Sequence, residues 1–152
     1  MPILTPEILP KHGPYIYLAA LPSPLELDEG DWPERSTYED HIFFRLADDL
    51  VGTVCDVSRS YLFFDSYDFI QLRKPEMAYE FVAGILTMAT RVASCPIHYF
   101  KRETPIYEGS LIPEECRSEY HLKNDITQTV IHIADLSTSA IRDGKYLAII
   151  GI

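Results

Sequence analysis

The sequence predicts an α+β fold, in which a mixed or antiparallel sheet packs against two main helices. Two stretches, at about 37–51 and 75–94, repeat apolar residues at helical spacing. Several short runs rich in β-branched and aromatic residues surround them and indicate strands. The chain has 152 residues, 47% hydrophobic and 24% charged, so we expect one domain, 1–152, with a core that needs no disulfide or metal.

The first strand is expected at Tyr15–Leu21, a short apolar run between Pro14 and Pro22. A polar loop with several prolines follows it. The helix at 37–51 would then begin after Ser36, since Glu39 three residues later completes a capping box. Its apolar face would comprise Tyr38, Ile42, Phe43, Leu46, Ala47 and Leu50. Gly52 is a natural stop for that helix.

The middle of the chain predicts strands and then the second helix. Residues 53–57 and 60–73 are rich in strand-forming residues, with Asp65-Ser66 as a candidate turn. The helix at 75–94 begins with Pro75, which suits a first helical turn. Its apolar face is wide, so we expect a sheet to cover it.

The last third of the chain is harder to interpret. Residues 97–102 favour a strand, and 103–124 favour irregular structure. The stretch 126–142 fits a helix by its apolar spacing, with Asp125 as a cap, but β-branched residues favour a strand, which is the interpretation we prefer. Asp143-Gly144 suits either a hairpin turn or a helix stop, and 145–152 indicates a terminal strand.

Net charge and cysteine content favour some classes of function and disfavour others. The formal net charge is -10, and residues 1–60 hold eleven acids against four bases. Direct binding to nucleic acid is disfavoured because it needs a basic face, whereas a basic protein partner is favoured by long-range attraction. Three cysteines, no export signal and no membrane-spanning stretch indicate a cytoplasmic protein with reduced thiols.

Cysteine and histidine spacing suggests one alternative, a zinc site. Cys95 and His98 form one pair, and Cys116 and His121 form a second pair, with seventeen residues between the two pairs. Zinc takes four such ligands in tetrahedral geometry. The spacing is looser than that of paired-cysteine motifs, and a buried cysteine at a helix end is ordinary. A small metal-stabilised domain or zinc enzyme therefore stays the second hypothesis, and the first requires no cofactor.

The acidic segment, defined here as residues 26–40, is the preferred candidate for a functional surface. It carries the only tryptophan, Trp32, among closely spaced carboxylates. The residues predicted to bind a partner are Glu26, Asp28, Glu29, Asp31, Trp32, Glu34, Glu39 and Asp40. An aromatic anchor ringed by complementary charge is typical of protein interfaces. The alternative is a solvated loop with Trp32 folded onto the core.

These observations together predict a non-enzymatic binding protein. The sequence contains no phosphate-binding glycine loop, zinc-protease helix, nucleophile elbow or calcium loop, so we expect no catalytic residues. A small acidic α+β domain of this kind fits an inhibitor such as an immunity protein or antitoxin against a bacterial toxin, for example a nuclease. This is an analogy of class, based on charge, size and missing motifs. The ten tyrosines and seven phenylalanines also leave a homodimer open.

Overall fold

The computed structural model describes residues 3–9, 14–60 and 69–151. Its strands are β1 (Tyr15–Leu21), β2 (Ile42–Ala47), β3 (Phe69–Leu72) and β4 (Tyr146–Gly151). They form one sheet in the order β2-β1-β4-β3, and every neighbouring pair is antiparallel. The predicted α+β class is therefore confirmed, and the sheet is antiparallel.

Three long helices are described: α1 (Asp48–Ser58), α2 (Pro75–Ser94) and α3 (Glu119–Arg142). Together with one face of the sheet they form the main core, in which Leu18 of β1, Ile149 of β4, Ile85 of α2 and Ile126 of α3 are at most 2% exposed. Short 3-10 turns occupy much of the remaining chain, at Arg35–Thr37, Glu39–His41, Ile97–Phe100, Thr104–Tyr107 and Glu114–Cys116.

The second predicted helix and three of the predicted strands are confirmed, since β3 (Phe69–Leu72) falls within the predicted stretch 60–73. Helix α2 spans 75–94, with Pro75 in its first turn. Its buried residues, Ala78, Phe81, Val82, Ile85, Met88, Ala89 and Val92, follow helical spacing. The first strand, Tyr15–Leu21, matches the prediction, and the terminal strand falls at Tyr146–Gly151.

The predicted helix at 37–51 is wrong. Its front half consists of two 3-10 turns, its middle is strand β2, and only its last residues belong to α1. The β-branched and aromatic residues Ile42 and Phe44 pair with Ala19 and Leu18 of β1, and the register shifts between these two pairs, where Phe43 is passed over. Ser36 lies inside a 3-10 turn and caps no helix.

The strand predicted at 53–57 and the stop at Gly52 are also wrong, because α1 runs through both. Leu50, Val51, Val54 and Val57 recur at helical spacing and are all buried. Burial of that face against the core outweighs the modest helix penalty of Gly52 and the valines. The proposed Asp65-Ser66 turn lies outside the described residues.

The strand preferred for 126–142 is wrong as well, and the helical alternative is the observed structure. Helix α3 begins after Ser118, whose side chain accepts a hydrogen bond from the His121 N–H at 3.3 Å, so Asp125 is not the cap. Gly144, with φ of 75°, follows the helix end, where a left-handed backbone favours glycine. The strand predicted at 97–102 is a 3-10 turn, Ile97–Phe100, and the irregular stretch 103–124 contains two further 3-10 turns and the start of α3.

Candidate protein-interaction surface

The second face of the sheet is covered by the chain that joins β1 to β2. Alternation along the strands places Ala19, Leu21, Ala148 and Ile150 on this face, away from the main core. Tyr38, from the acidic segment, completes this second buried cluster and is only 2% exposed. The acidic segment therefore lies over an apolar face of the sheet and does not extend freely into solvent.

Two side chains, Gln71 in β3 and Arg73 just after it, hold the start of this covering segment against the sheet, and we call them the clamp. Gln71 accepts a hydrogen bond from the Leu25 N–H at 2.7 Å and donates one to the Leu25 carbonyl at 3.0 Å. Arg73 donates a second bond to the same carbonyl at 2.7 Å. The glutamine side chain thus pairs with Leu25 as a neighbouring backbone would, and it ties the residue before Glu26 to the sheet.

Buried residues and local turns fix the path between this clamp and β2. Pro33 and Tyr38 are buried, and burial raises the pKa of the Tyr38 hydroxyl. The Asp31 N–H donates to the Asp28 carbonyl at 3.0 Å, and Gly30 takes the positive φ, 83°, that this turn requires. The Glu34 carbonyl accepts from the Thr37 N–H at 2.9 Å and begins the 3-10 turn. The carboxylates are consequently displayed from a backbone with a defined conformation.

All seven carboxylates of the acidic segment are exposed, and two of them have a cation nearby. Glu39 is 3.1 Å from the Arg35 guanidinium, and Glu26 is 3.8 Å from that of Arg73. Both pairs are largely open to water, where such contacts contribute little to stability. The residues without an ion pair to any Lys, Arg or His of the described chain are Asp28, Glu29, Asp31, Glu34 and Asp40. Their charge is available to an external partner.

Two alternatives were considered for Trp32, an exposed anchor for a partner and a side chain folded onto the core, and the structure combines features of both. Its ring contacts Phe69 of β3, with 6.3 Å between ring centroids and an interplanar angle of 57°. The side chain nevertheless stays 47% exposed. The ring is thus positioned by the sheet and still presents about half of its surface next to Asp31.

The four residues of the zinc alternative are not brought together. Cys95 is buried after α2, while the His98 ring stacks on Tyr99, with 4.5 Å between centroids. Cys116 is half-buried at the end of a 3-10 turn, and His121 Nδ1 is 2.6 Å from Ser118 Oγ at the start of α3. Within residues 3–9, 14–60 and 69–151, no three His, Cys, Asp or Glu side chains are grouped so that they could hold a metal ion.

Two positioning residues escaped the sequence analysis. Gln71 and Arg73 lie in or beside a strand, and no sequence pattern marks their shared partner, because Leu25 is 46 residues away from Gln71. The same holds for a buried pair in the core, where the Tyr107 hydroxyl donates to Asp125 Oδ2 at 2.8 Å. A polar residue at a core-facing helical position was the one available signal for Asp125.

Comparisons with known proteins give no match to a family model, to a curated protein or to a solved structure. In the part of the chain that the structure describes, none of the helices has both the length and the apolar character needed to cross a membrane. The chemistry of the surface itself is therefore the guide to function.

Proposed function

We propose that this protein is a non-enzymatic inhibitor that binds a basic protein partner through the acidic segment. The observation that supports this most directly is the set of five exposed carboxylates that form no ion pair with the described Lys, Arg and His residues, in the same segment as half-exposed Trp32. Crowded like charges destabilise the free protein slightly, and a basic partner relieves that repulsion. An immunity protein or antitoxin that neutralises a bacterial toxin, such as a nuclease, is the class of inhibitor that fits this surface.

The mechanism follows from charge and from the anchoring of the segment. The active cleft of a nuclease is basic because it binds substrate phosphates, and the carboxylates of Asp28, Asp31 and Glu34 would occupy the positions of those phosphates. Trp32 would provide the apolar contact at the centre of the interface. Because the sheet already holds the segment, little conformational entropy is lost on binding. Three free thiols, Cys55, Cys95 and Cys116, suit the cytoplasm, where we expect the complex to form.

Charge reversal tests this proposal. The variant Asp28→Lys, Asp31→Lys, Glu34→Lys should lose capture of a basic protein from a lysate of the native host, or slow its association by at least about tenfold at low salt. A control with the same net charge, Glu80→Lys, Glu114→Lys, Glu115→Lys, changes exposed acids on α2 and on a 3-10 turn. The control should retain capture.

The captured protein is then assayed for enzymatic activity with and without the inhibitor. We expect the wild-type chain and the control to abolish that activity, and the acidic-segment variant to leave it intact. Equal capture and equal inhibition by all three proteins would show that the acidic segment is not the interface. Turnover of a substrate by the chain itself, in the absence of any partner, would contradict the non-enzymatic assignment.

A further inference from the structure

A second surface of the molecule has the opposite charge. An open groove of about 630 Å³ lies between the ends of α1 and α2 and the turn at Ile97–Phe100, and Arg59, Arg91 and Arg102 line it. Its volume is in the range of small-molecule sites. Three arginines thus line one groove in a chain whose net charge is -10.

Within the described residues, these arginines have few partners. The Arg59 guanidinium lies over the Tyr99 ring, 5.8 Å from its centroid, and Arg91 donates to the Ser60 hydroxyl. Within the described chain, none of the three forms an ion pair with a carboxylate. Asp56 is the one acid among the described residues that line the groove, and Arg102 also borders a neighbouring pocket that is lined by Asp48, Asp49 and Glu103.

Helix ends explain only part of this arrangement. Helices α1 and α2 both end beside the groove, and the partial negative charge of a helix C-terminus favours a nearby cation such as Arg91. Arg102, however, belongs to neither helix. Arg59 is the C-cap of α1, and its φ of 51° is the left-handed conformation in which helices commonly end.

A neutral donor accompanies the arginines. Ser58 lines the groove, and its hydroxyl is buried without a hydrogen-bond partner in the described part of the chain. Such groups are uncommon in folded proteins because each has lost its hydrogen bonds to water. The groove is therefore lined by three arginines and by a serine whose buried hydroxyl is unpaired within the described residues.

We propose that this groove binds a small anion that carries phosphate. Each guanidinium offers several donors in a planar fork, which matches the oxygens of a phosphate group, and three of them can surround a tetrahedral anion. Tyr99, which is 43% exposed beside them, provides an aromatic wall for the rest of such a ligand. This site is independent of the acidic segment, and its failure would leave the proposed inhibitor function unaffected.

The test is calorimetric titration of the full chain with pyrophosphate at pH 7 and constant ionic strength, with citrate as an anion of similar charge. We expect saturable binding of one pyrophosphate and clearly weaker binding of citrate. Arg59→Gln, Arg91→Gln and Arg102→Gln should each weaken the affinity by about tenfold, the usual effect of losing a charge-assisted hydrogen bond. Arg142→Gln is the matched control, because Arg142 is also an exposed arginine in the last turn of a helix. It should bind pyrophosphate as the wild type does.

Several outcomes would overturn the proposal. Heats that do not saturate, or an equal loss of affinity in Arg142→Gln, would mean that the anion responds only to overall charge. Citrate binding as tight as that of pyrophosphate would refute the preference for phosphate. Circular dichroism checks the fold of each variant, and Arg102→Gln, which lies outside both helices, keeps the test valid if a helical variant unfolds.

Discussion

The buried carboxyl of Asp125 makes a sharp prediction about stability and pH. Asp125 lies on α3 and is 1% exposed. Its Oδ2 accepts the Tyr107 hydroxyl at 2.8 Å, whereas Oδ1 has no hydrogen-bond partner in the described part of the chain. Burial raises the pKa of Asp125 above its ordinary value of 3.8, and the hydrogen bond from Tyr107 and the charge of His121 lower that pKa by less.

The sign of the pH dependence follows from that direction. Because the pKa of Asp125 is higher in the folded state, its contribution to stability is greatest below pH 3.8 and declines as pH rises through the raised pKa. Each unit by which folding raises the pKa costs about 1.4 kcal/mol of unfolding free energy at pH values above both pKa values. Asp125→Asn removes this dependence, so we expect the variant to become more stable relative to wild type as pH increases.

Urea denaturation of wild type and Asp125→Asn from pH 4 to 8 measures the effect. Tyr107→Phe leaves the second carboxylate oxygen without its donor and should lower the unfolding free energy by about 1–3 kcal/mol at pH 7. Asp135→Asn, an exposed acid on the same helix, is the control and should change stability by less than about 0.5 kcal/mol. A stability difference between wild type and Asp125→Asn that stays constant with pH would refute the reasoning, as would a carboxyl resonance of Asp125 that titrates at or below pH 3.8.

Two further predictions concern the clamp and the zinc alternative. Gln71→Ala removes both hydrogen bonds to Leu25 and should cost about 1–3 kcal/mol of unfolding free energy in urea denaturation. Amide exchange should accelerate across 25–38, while unchanged exchange there would show that Gln71 does not hold the acidic segment. Zinc addition or chelation should leave the melting temperature unchanged, because Cys95, His98, Cys116 and His121 do not form a ligand set in the structure. A shift in the melting temperature that Cys116→Ala abolishes would contradict this expectation.

Sequence reasoning succeeded where apolar spacing and end signals agreed. Helix α2 has a proline in its first turn and a continuous helical face, and both ends were correctly placed. Strand β1 is a short apolar run next to prolines, and its bounds were also correct. In these elements local propensity and tertiary burial favour the same conformation, so the sequence pattern is sufficient.

The sequence pattern predicted the wrong element where the secondary-structure propensity of the residues and their burial favour different conformations. Helix α3 is rich in threonine, valine and isoleucine, which favour strands, yet Leu122, Ile126, Ile133 and Ala140 are buried at helical spacing. Its threonines tolerate the helix because their hydroxyls donate to carbonyls one turn back, as Thr129 does to Asp125 at 2.7 Å. In the stretch 37–51 the error was the reverse, a helix predicted where the structure contains strand β2. The apolar residues there fit one helical face and also fit a strand that pairs with β1.

The composition of the candidate site was predictable from the sequence, but the contacts that hold it on the sheet were not. Exposure of the seven carboxylates agrees with what charge alone leads one to expect. The hydrogen bonds from Gln71 and the contact between Trp32 and Phe69 form because β3 lies beside the segment that joins β1 to β2. That placement is set by the order of the strands in the sheet, which no local sequence pattern reveals. Whether the surface binds a basic partner stays a prediction that the charge-reversal experiment decides.

The segment between β1 and β2, which covers the second face of the sheet, contains two kinds of residue. Leu25, Pro33 and Tyr38 face inward and hold the stretch on the sheet, whereas the carboxylates between them face water. Exposed side chains can be exchanged with little effect on folding, while the inward ones cannot. The charges displayed by this segment can therefore change during evolution on an unchanged scaffold, provided that the three inward-facing anchors are retained.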